Sequence, residues 1–155
     1  MFFLCFIKKF HEIAKYKTIN KMATANLQST EPQQYLNNAH SILNKDLDKD
    51  DRYYSSKKYV REAGKLALNG VLLALQNQFE LSEKFNFTYA YLKPIEQVNP
   101  YMAKVFVNAY ETLTKCLIED SNLNIIIVQE GLSEAQEIID WTETISICRH
   151  NIHTK

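Results

Sequence analysis

The sequence contains little glycine and little proline. Each occurs three times among 155 residues, too few for the many tight turns that a β-sandwich or an antiparallel barrel requires. A chain of this length fits one domain and can bury about 68–70% of its unfolded surface in its own core. These counts favour an all-α protein.

Cysteine is also scarce, and the number is odd. Cys5, Cys116 and Cys148 share no CxxC spacing, which favours reduced thiols and a cytoplasmic location over a disulfide framework. Eighteen basic and eighteen acidic side chains cancel to a formal charge of zero. Because the chain as a whole has no strong field, neither nucleic acid nor an anionic membrane is the expected partner.

No apolar run in the sequence reaches the length of about 20 residues that a membrane-spanning helix needs. The apolar stretch MFFLCFI at the N-terminus precedes two lysines, the reverse of a secretory signal peptide. We predict an N-terminal extension over residues 1–28, a helical domain over residues 29–150 and a tail over residues 151–155. Two interpretations of the extension stay open: translation starts at Met22, or residues 1–17 anchor the chain to a membrane surface.

Apolar residues that recur at three- and four-residue steps predict four amphipathic helices. The first begins after Ser29 or Thr30, either of which can cap it, and ends near Leu47. The second runs from about Tyr53 to Phe79 and is apolar on almost every side, as is typical of a central helix. A strip of small residues on this helix predicts close packing against a neighbour: Ala63, Ala67, Gly70 and Ala74.

The third helix is predicted to begin at Asn99 and Pro100, a cap followed by a first-turn proline. Its apolar stripe includes Cys116, and the fourth helix follows the turn EDSN. Between the second and third helices, FNFTYAY alternates aromatic with small or polar residues, which favours a short irregular helix or loop. Four helices with short connections predict an antiparallel up-and-down four-helix bundle.

Charged side chains of opposite sign are predicted to lie on two of these helices. A basic stripe on the second helix comprises Lys57, Lys58, Arg61 and Lys65. An acidic stripe on the fourth comprises Glu130, Glu134, Glu137 and Asp140. Such stripes keep a domain in solution and can orient a protein partner or a second copy. Aromatic residues complete the candidate interface: Tyr53, Tyr54, Phe85, Phe87, Tyr89 and Tyr91.

Familiar catalytic motifs are missing from the sequence, which has no GxSxG, no HExxH and no phosphate-binding glycine loop. Cys148, His150 and His153 do not have the spacing of a standard zinc site. We therefore predict no cofactor and no metal. Arg149 and His153 form a weak catalytic candidate, because an arginine can stabilise phosphate charge while a histidine transfers a proton.

Two segments carry a resemblance to a known family. YYSSKKYVREAGKLALNGVLLAL, residues 53–75, and GLSEAQEIIDWTETI, residues 131–145, resemble those of a bacterial domain of unknown function that would cover residues 31–147. The arrangement is similar in turn to HEPN-type four-helix bundles. That similarity implies a ribonuclease or the partner of a nucleotidyltransferase, and HEPN nucleases place four to six residues between an arginine and a histidine.

Only three residues separate Arg149 from His153, so the pair departs from the HEPN spacing. Cations at this position also suit a helix C-terminus, because they offset the negative end of its dipole. The leading prediction is therefore a non-enzymatic, cytoplasmic helical module that self-associates or binds a protein partner. The alternative is a divergent HEPN-like ribonuclease that uses Arg149 and His153.

Overall fold

The structure is a computed structural model that describes residues 30–45, 52–81 and 88–150. These residues form five α-helices and one π-helical segment, without a β-strand, which confirms the all-α prediction for this part of the chain. The elements follow in the order α1 Glu31–Leu43, α2 Lys57–Phe79, α3 Thr88–Val98, α4 Pro100–Glu111, the π-helical segment Thr112–Glu119, and α5 Ile125–His150. Among the described residues, no helix is both long and apolar enough to cross a lipid bilayer.

Helix α1 starts where the sequence predicts but ends earlier. Thr30 precedes its first residue, and the buried Pro32 lies in its first turn, where a missing N–H is harmless. The predicted end near Leu47 is wrong, because Asn44 already caps the helix and donates its backbone N–H to the His40 carbonyl at 2.9 Å. Asparagine and the aspartates that follow it favour turns over helix, which accounts for the early stop.

Helix α2 starts four residues later than predicted. The Tyr54 N–H donates to the Leu123 carbonyl at 2.9 Å, and the Ile125 N–H donates to the Arg52 carbonyl at 3.1 Å. These bonds form an isolated antiparallel bridge between Tyr53 and Asn124. Backbone groups that pair across the chain cannot also form a helix turn, so α2 begins only at Lys57.

Helix α3 begins within FNFTYAY, the stretch for which the sequence predicts a short irregular helix or loop. Residues 82–87 lie outside the described part of the chain, and a regular helix of 11 residues begins at Thr88. Tyr91 and Ile95, one helical turn apart, are both buried in the core. The Tyr91 hydroxyl also accepts a hydrogen bond from the Gln76 side chain at 2.8 Å, which ties α3 to α2.

The predicted starts of the last two long helices are confirmed. The Asn99 Oδ1 atom accepts hydrogen bonds from the backbone N–H groups of Tyr101 and Met102, at 3.1 and 3.3 Å, and so caps α4. Helix α4 continues without a break into the π-helical segment. After Ser121, whose φ of 52° lies in the left-handed region, α5 begins at Ile125.

Helix α2 lies at the centre and packs against α1, the π-helical segment and α5. The predicted small-residue strip is buried as expected, and it consists of Ala63, Ala67, Gly70 and Ala74. Gly64 adds a second close contact, since a Cβ atom built on it would lie 2.8 Å from the Leu117 Cβ atom. Small side chains on α2 therefore let two neighbouring elements approach its backbone.

Candidate functional site

The bridge between Tyr53 and Asn124 brings the beginnings of α2 and α5 together at one end of the molecule. Exposed apolar side chains lie on both sides of this bridge. Tyr53 is 51% exposed, and Ile126, two residues beyond Asn124, is 75% exposed. The first turn of α2, which follows Tyr53, carries the exposed Lys57 and Lys58, and the exposed Glu130 follows Ile126 by one helical turn on α5. We call these five residues the bridge patch.

A hydrogen-bonded support lies directly behind the bridge patch. The Tyr54 ring is buried, and its hydroxyl accepts a hydrogen bond from the Gln129 side chain at 2.9 Å. The Asn122 Oδ1 atom accepts from the Asn124 N–H, and the Asn124 Oδ1 atom accepts from the Ile126 N–H, both at 2.9 Å. These bonds fix the backbone that carries Tyr53 and Ile126, so the exposed side chains project from an ordered surface.

Two of the aromatic interface candidates are wrong, because their rings are buried. Tyr54 is 2% exposed and Tyr91 is 4% exposed. Neighbouring side chains point to opposite faces of an extended segment, so Tyr53 faces outward while Tyr54 enters the core. Tyr91 lies on the inner face of α3, where its ring is 6.2 Å from that of Phe106.

The basic stripe divides into two parts. The Arg61 Nε atom donates to the Ile118 carbonyl at 3.0 Å and to the Ser121 hydroxyl at 3.2 Å, which ties α2 to the end of the π-helical segment. Lys65 lies 3.8 Å from the Glu62 carboxylate on the exposed surface of α2. Arg61 and Lys65 thus have contacts within the chain, and Lys57 and Lys58 lie at the bridge patch.

Two members of the acidic stripe also have contacts within the chain. The negative charge of Glu137 raises the pKa of the Tyr101 phenol on α4, and a hydrogen bond between these side chains adds to the shift. Asp140 accepts a hydrogen bond at 2.8 Å from Gln136, which also donates to Gln33 of α1 at 2.7 Å. The exposed Glu130 is the acidic residue that lies nearest to Ile126 along α5.

Glu134 occupies an unfavourable position for a carboxylate. Its Oε2 atom is buried, and no hydrogen-bond partner for this atom exists among the described residues. Burial raises the pKa of the Glu134 carboxyl, and the charges of Glu130 and Glu137 raise it further. The carboxyl is therefore harder to ionise in the folded protein than in the unfolded chain.

Replacing Glu134 with glutamine is expected to stabilise the protein at neutral pH. A carboxyl whose pKa is raised by folding contributes most stability below its unfolded pKa, and this contribution is lost as the pH rises through the folded pKa. Glu134→Gln removes that titration, so we expect a gain of up to about 1 kcal/mol at neutral pH, reduced by solvent screening. Urea unfolding from acidic to neutral pH measures the effect.

The matched control is Glu119→Gln, which removes an exposed carboxylate at the end of the π-helical segment. This variant should follow the pH dependence of the unchanged protein, because a substitution at an exposed surface position usually changes stability by less than about 0.5 kcal/mol. A Glu134→Gln protein whose pH dependence equals that of the control would contradict the assignment of this titration to Glu134.

Several predicted site residues lie outside the described part of the chain. Phe85, Phe87 and His153 are outside it, and nothing is described of the side chains of Tyr89, Arg149 and His150. The predicted pair of Arg149 and His153 therefore lies outside the side chains that the structure describes. No group of three histidine, cysteine, aspartate or glutamate side chains within the described ranges could hold a metal ion. Cys116 is partly buried against the core, as its predicted stripe position implies, and Cys148 is exposed.

Sequence reasoning missed Ile126, the most exposed of the large apolar side chains in the described residues. It belongs to a run of three isoleucines followed by valine, in which periodicity alone does not mark the outward position. The polar turn SNLN before it and the adjacent tyrosines at residues 53 and 54 were the available signals, since tyrosine favours extended backbone.

Comparisons with known proteins support the predicted family. The family model described as Domain of unknown function (DUF5618) matches residues 27–144. A solved structure, a protein of unknown function from Dyadobacter fermentans, is similar with 34% identity and a TM-score of 0.65, and the match covers 74% of this chain and 91% of that chain. No curated protein matches. The chain therefore belongs to the DUF5618 family.

Proposed function

We propose that the chain is a non-enzymatic helical interaction module that binds protein through the bridge patch. The observation that carries this proposal is the pair of exposed apolar side chains, Tyr53 and Ile126, on a backbone fixed by Tyr54, Asn122 and Asn124. Covering apolar surface gains about 25 cal/mol per Å², and tyrosine is among the residues that concentrate binding energy at interfaces.

The charges in the first turn of α2 support an interaction role. Lys57 and Lys58 lie there, and no acidic residue accompanies them. Positive charge at a helix N-terminus opposes the helix dipole, at a cost of typically about 0.3–1 kcal/mol for each charge. Helix stability therefore does not account for these lysines, and their position supports the proposed recognition of a carboxylate on a partner.

The rest of the charged stripes forms the outer part of the proposed interface. Arg61 and Lys65 continue along α2, and Glu134 and Glu137 continue along α5. Arg61, Lys65 and Glu137 have contacts within the chain. Glu134 is partly buried, so all four are less able to reorganise on binding than Lys57, Lys58 and Glu130. We expect them to influence the orientation of a partner more than the affinity.

We also infer an antiparallel up-and-down four-helix bundle of the HEPN type, made by α1, α2, the continuous helix of α4 and the π-helical segment, and α5. Contacts between helices support this arrangement. Arg61, early in α2, reaches Ile118 near the end of the π-helical segment, and Tyr101, early in α4, reaches Glu137 in the middle of α5. The free thiols of Cys116 and Cys148 support the proposed cytoplasmic location.

Replacing Ile126 with aspartate is expected to abolish capture of the protein partner by the tagged full chain. Aspartate places a charge at the apolar centre of the patch, and α5 tolerates it because acidic residues suit the first turn of a helix. The matched control is Ile147→Asp, which changes a 58% exposed isoleucine near the other end of α5. Capture from native cells, quantified by mass spectrometry, compares the two variants with the unchanged chain.

A protein recovered by the unchanged chain and by Ile147→Asp, but lost with Ile126→Asp, would support the bridge patch. Equal recovery with both variants would contradict it. The same samples should be analysed for bound or cleaved RNA. RNA cleavage that disappears with Arg149→Ala and His153→Ala together would favour the ribonuclease alternative over the interaction module.

A further inference from the structure

We propose that the bridge patch docks on the bridge patch of a second copy of the chain, across a two-fold axis. This inference rests on the proposed interaction function and names its partner. The patch has an apolar centre, Tyr53 and Ile126, with positive charge on its α2 side at Lys57 and Lys58 and negative charge on its α5 side at Glu130.

The distribution of charge on the patch is what favours a second copy. A two-fold axis places the same surface on both sides of the contact, so that residue i meets residue j and residue j meets residue i. With the axis between Tyr53 and Ile126, the lysines of each copy face the Glu130 of the other. The two apolar centres then cover each other, and opposite charges meet on both sides of the axis.

The same layout argues against a partner of a single charge. An acidic surface would be attracted by Lys57 and Lys58 but repelled by Glu130. A basic surface would be attracted by Glu130 but repelled by the two lysines. The zero formal charge of the chain means that two copies do not repel each other as whole molecules. A second copy satisfies both sides of the patch at once.

Docking also compensates the unfavourable charges at the start of α2. In the single chain, Lys57 and Lys58 add positive charge to the positive end of the helix dipole. A carboxylate from the second copy, placed at this helix end, would be attracted by both lysines and by the dipole. The arrangement that is unfavourable in the monomer is thereby favourable in the dimer.

Charge exchange between two variants tests the proposed dimer. The variant Lys57→Glu/Lys58→Glu makes the charged part of the patch wholly acidic, and the variant Glu130→Lys makes it wholly basic. Each variant alone should repel its own copy and raise the dissociation constant of the dimer at least about tenfold. An equimolar mixture of the two should form a heterodimer, because opposite charges then meet on both sides of the axis.

Sedimentation velocity of the full chain, from about 5 to about 500 µM, detects a dimer with a dissociation constant in the micromolar range. Dimerisation of the unchanged chain that both variants weaken and their mixture restores would establish the proposed contact. Ile126→Asp should remain monomeric at every concentration, and Ile147→Asp should dimerise normally. Circular dichroism of each variant checks that a lost dimer is not a lost fold.

Two results would overturn the inference: an unchanged chain that stays monomeric throughout, or a mixture that associates no better than either variant. Neither result would remove the proposed interaction function. That function fails separately, if the tagged chain recovers the same proteins with and without Ile126→Asp. The two experiments therefore distinguish a wrong partner from a wrong surface.

Discussion

Replacing Phe106 with alanine is expected to lower the free energy of unfolding by about 3–5 kcal/mol. The Phe106 side chain on α4 is fully buried. Its ring lies 6.2 Å from the ring of Tyr91 on α3 and 6.0 Å from that of Tyr110, measured between centroids. Truncation would leave a cavity between these rings and would remove the aromatic contact through which α3 packs on α4. The free energy of unfolding therefore falls by more than the transfer free energy of the removed apolar atoms alone.

Urea unfolding monitored by far-UV circular dichroism measures the loss of stability for Phe106→Ala. The control is Lys104→Ala, an exposed position on the same helix, where we expect a change within about 0.5 kcal/mol. Phe106→Leu refills part of the cavity and should recover more than half of the lost stability. A Phe106→Ala protein that loses less than about 1 kcal/mol would contradict the packing of α3 on α4 through this ring.

The elements that local sequence patterns could predict are those whose signals lie within the element. Asn99 and Pro100 give both the cap and the first turn of α4, and the cap forms as predicted. The strip that includes Ala63 and Gly70 is buried against neighbouring helices because four- and three-residue steps return to one face of a helix. Both features could be predicted without knowing which distant residues they contact.

The features that the sequence could not predict depend on partners far along the chain. The start of α2 is fixed by the pairing of Tyr53 with Asn124. These two residues are separated in sequence by more than half the number of residues that the structure describes. Helical periodicity does not indicate such a pairing, so the predicted helix extended back to Tyr53. The helix at FNFTYAY was difficult to predict for a different reason. The alternation of aromatic residues obscured the helical spacing of Tyr91 and Ile95 on the buried face of α3.

The candidate site shows the same division between local and distant information. The sequence predicts which charged residues share a helix face, but not which of them already have contacts within the chain. Arg61 reaches the Ile118 carbonyl, and Gln136, beside the acidic stripe, bonds to Gln33. These long-range contacts distinguish the structural members of each stripe from Lys57, Lys58 and Glu130, which are the charged residues of the bridge patch.

Replacing Gly70 with alanine is expected to destabilise the protein by about 1–3 kcal/mol, although alanine has the higher helix propensity by about 1 kcal/mol. A Cβ atom built on Gly70 would lie 2.9 Å from the Pro32 carbonyl oxygen and 3.2 Å from the Tyr35 Cβ atom. The first of these neighbours is backbone, so it cannot move without moving α1. Steric strain between α1 and α2 therefore outweighs the gain in propensity.

Asn69→Ala is the control for Gly70→Ala, because it also introduces alanine into α2, at the neighbouring, exposed position. At an exposed position this variant should keep or slightly raise the stability, since alanine favours the helix. Thermal and urea unfolding of both variants give the difference in the free energy of unfolding. If Gly70→Ala were as stable as Asn69→Ala, α1 would have to shift freely on α2, and the close contact at Pro32 would not be what requires glycine at this position.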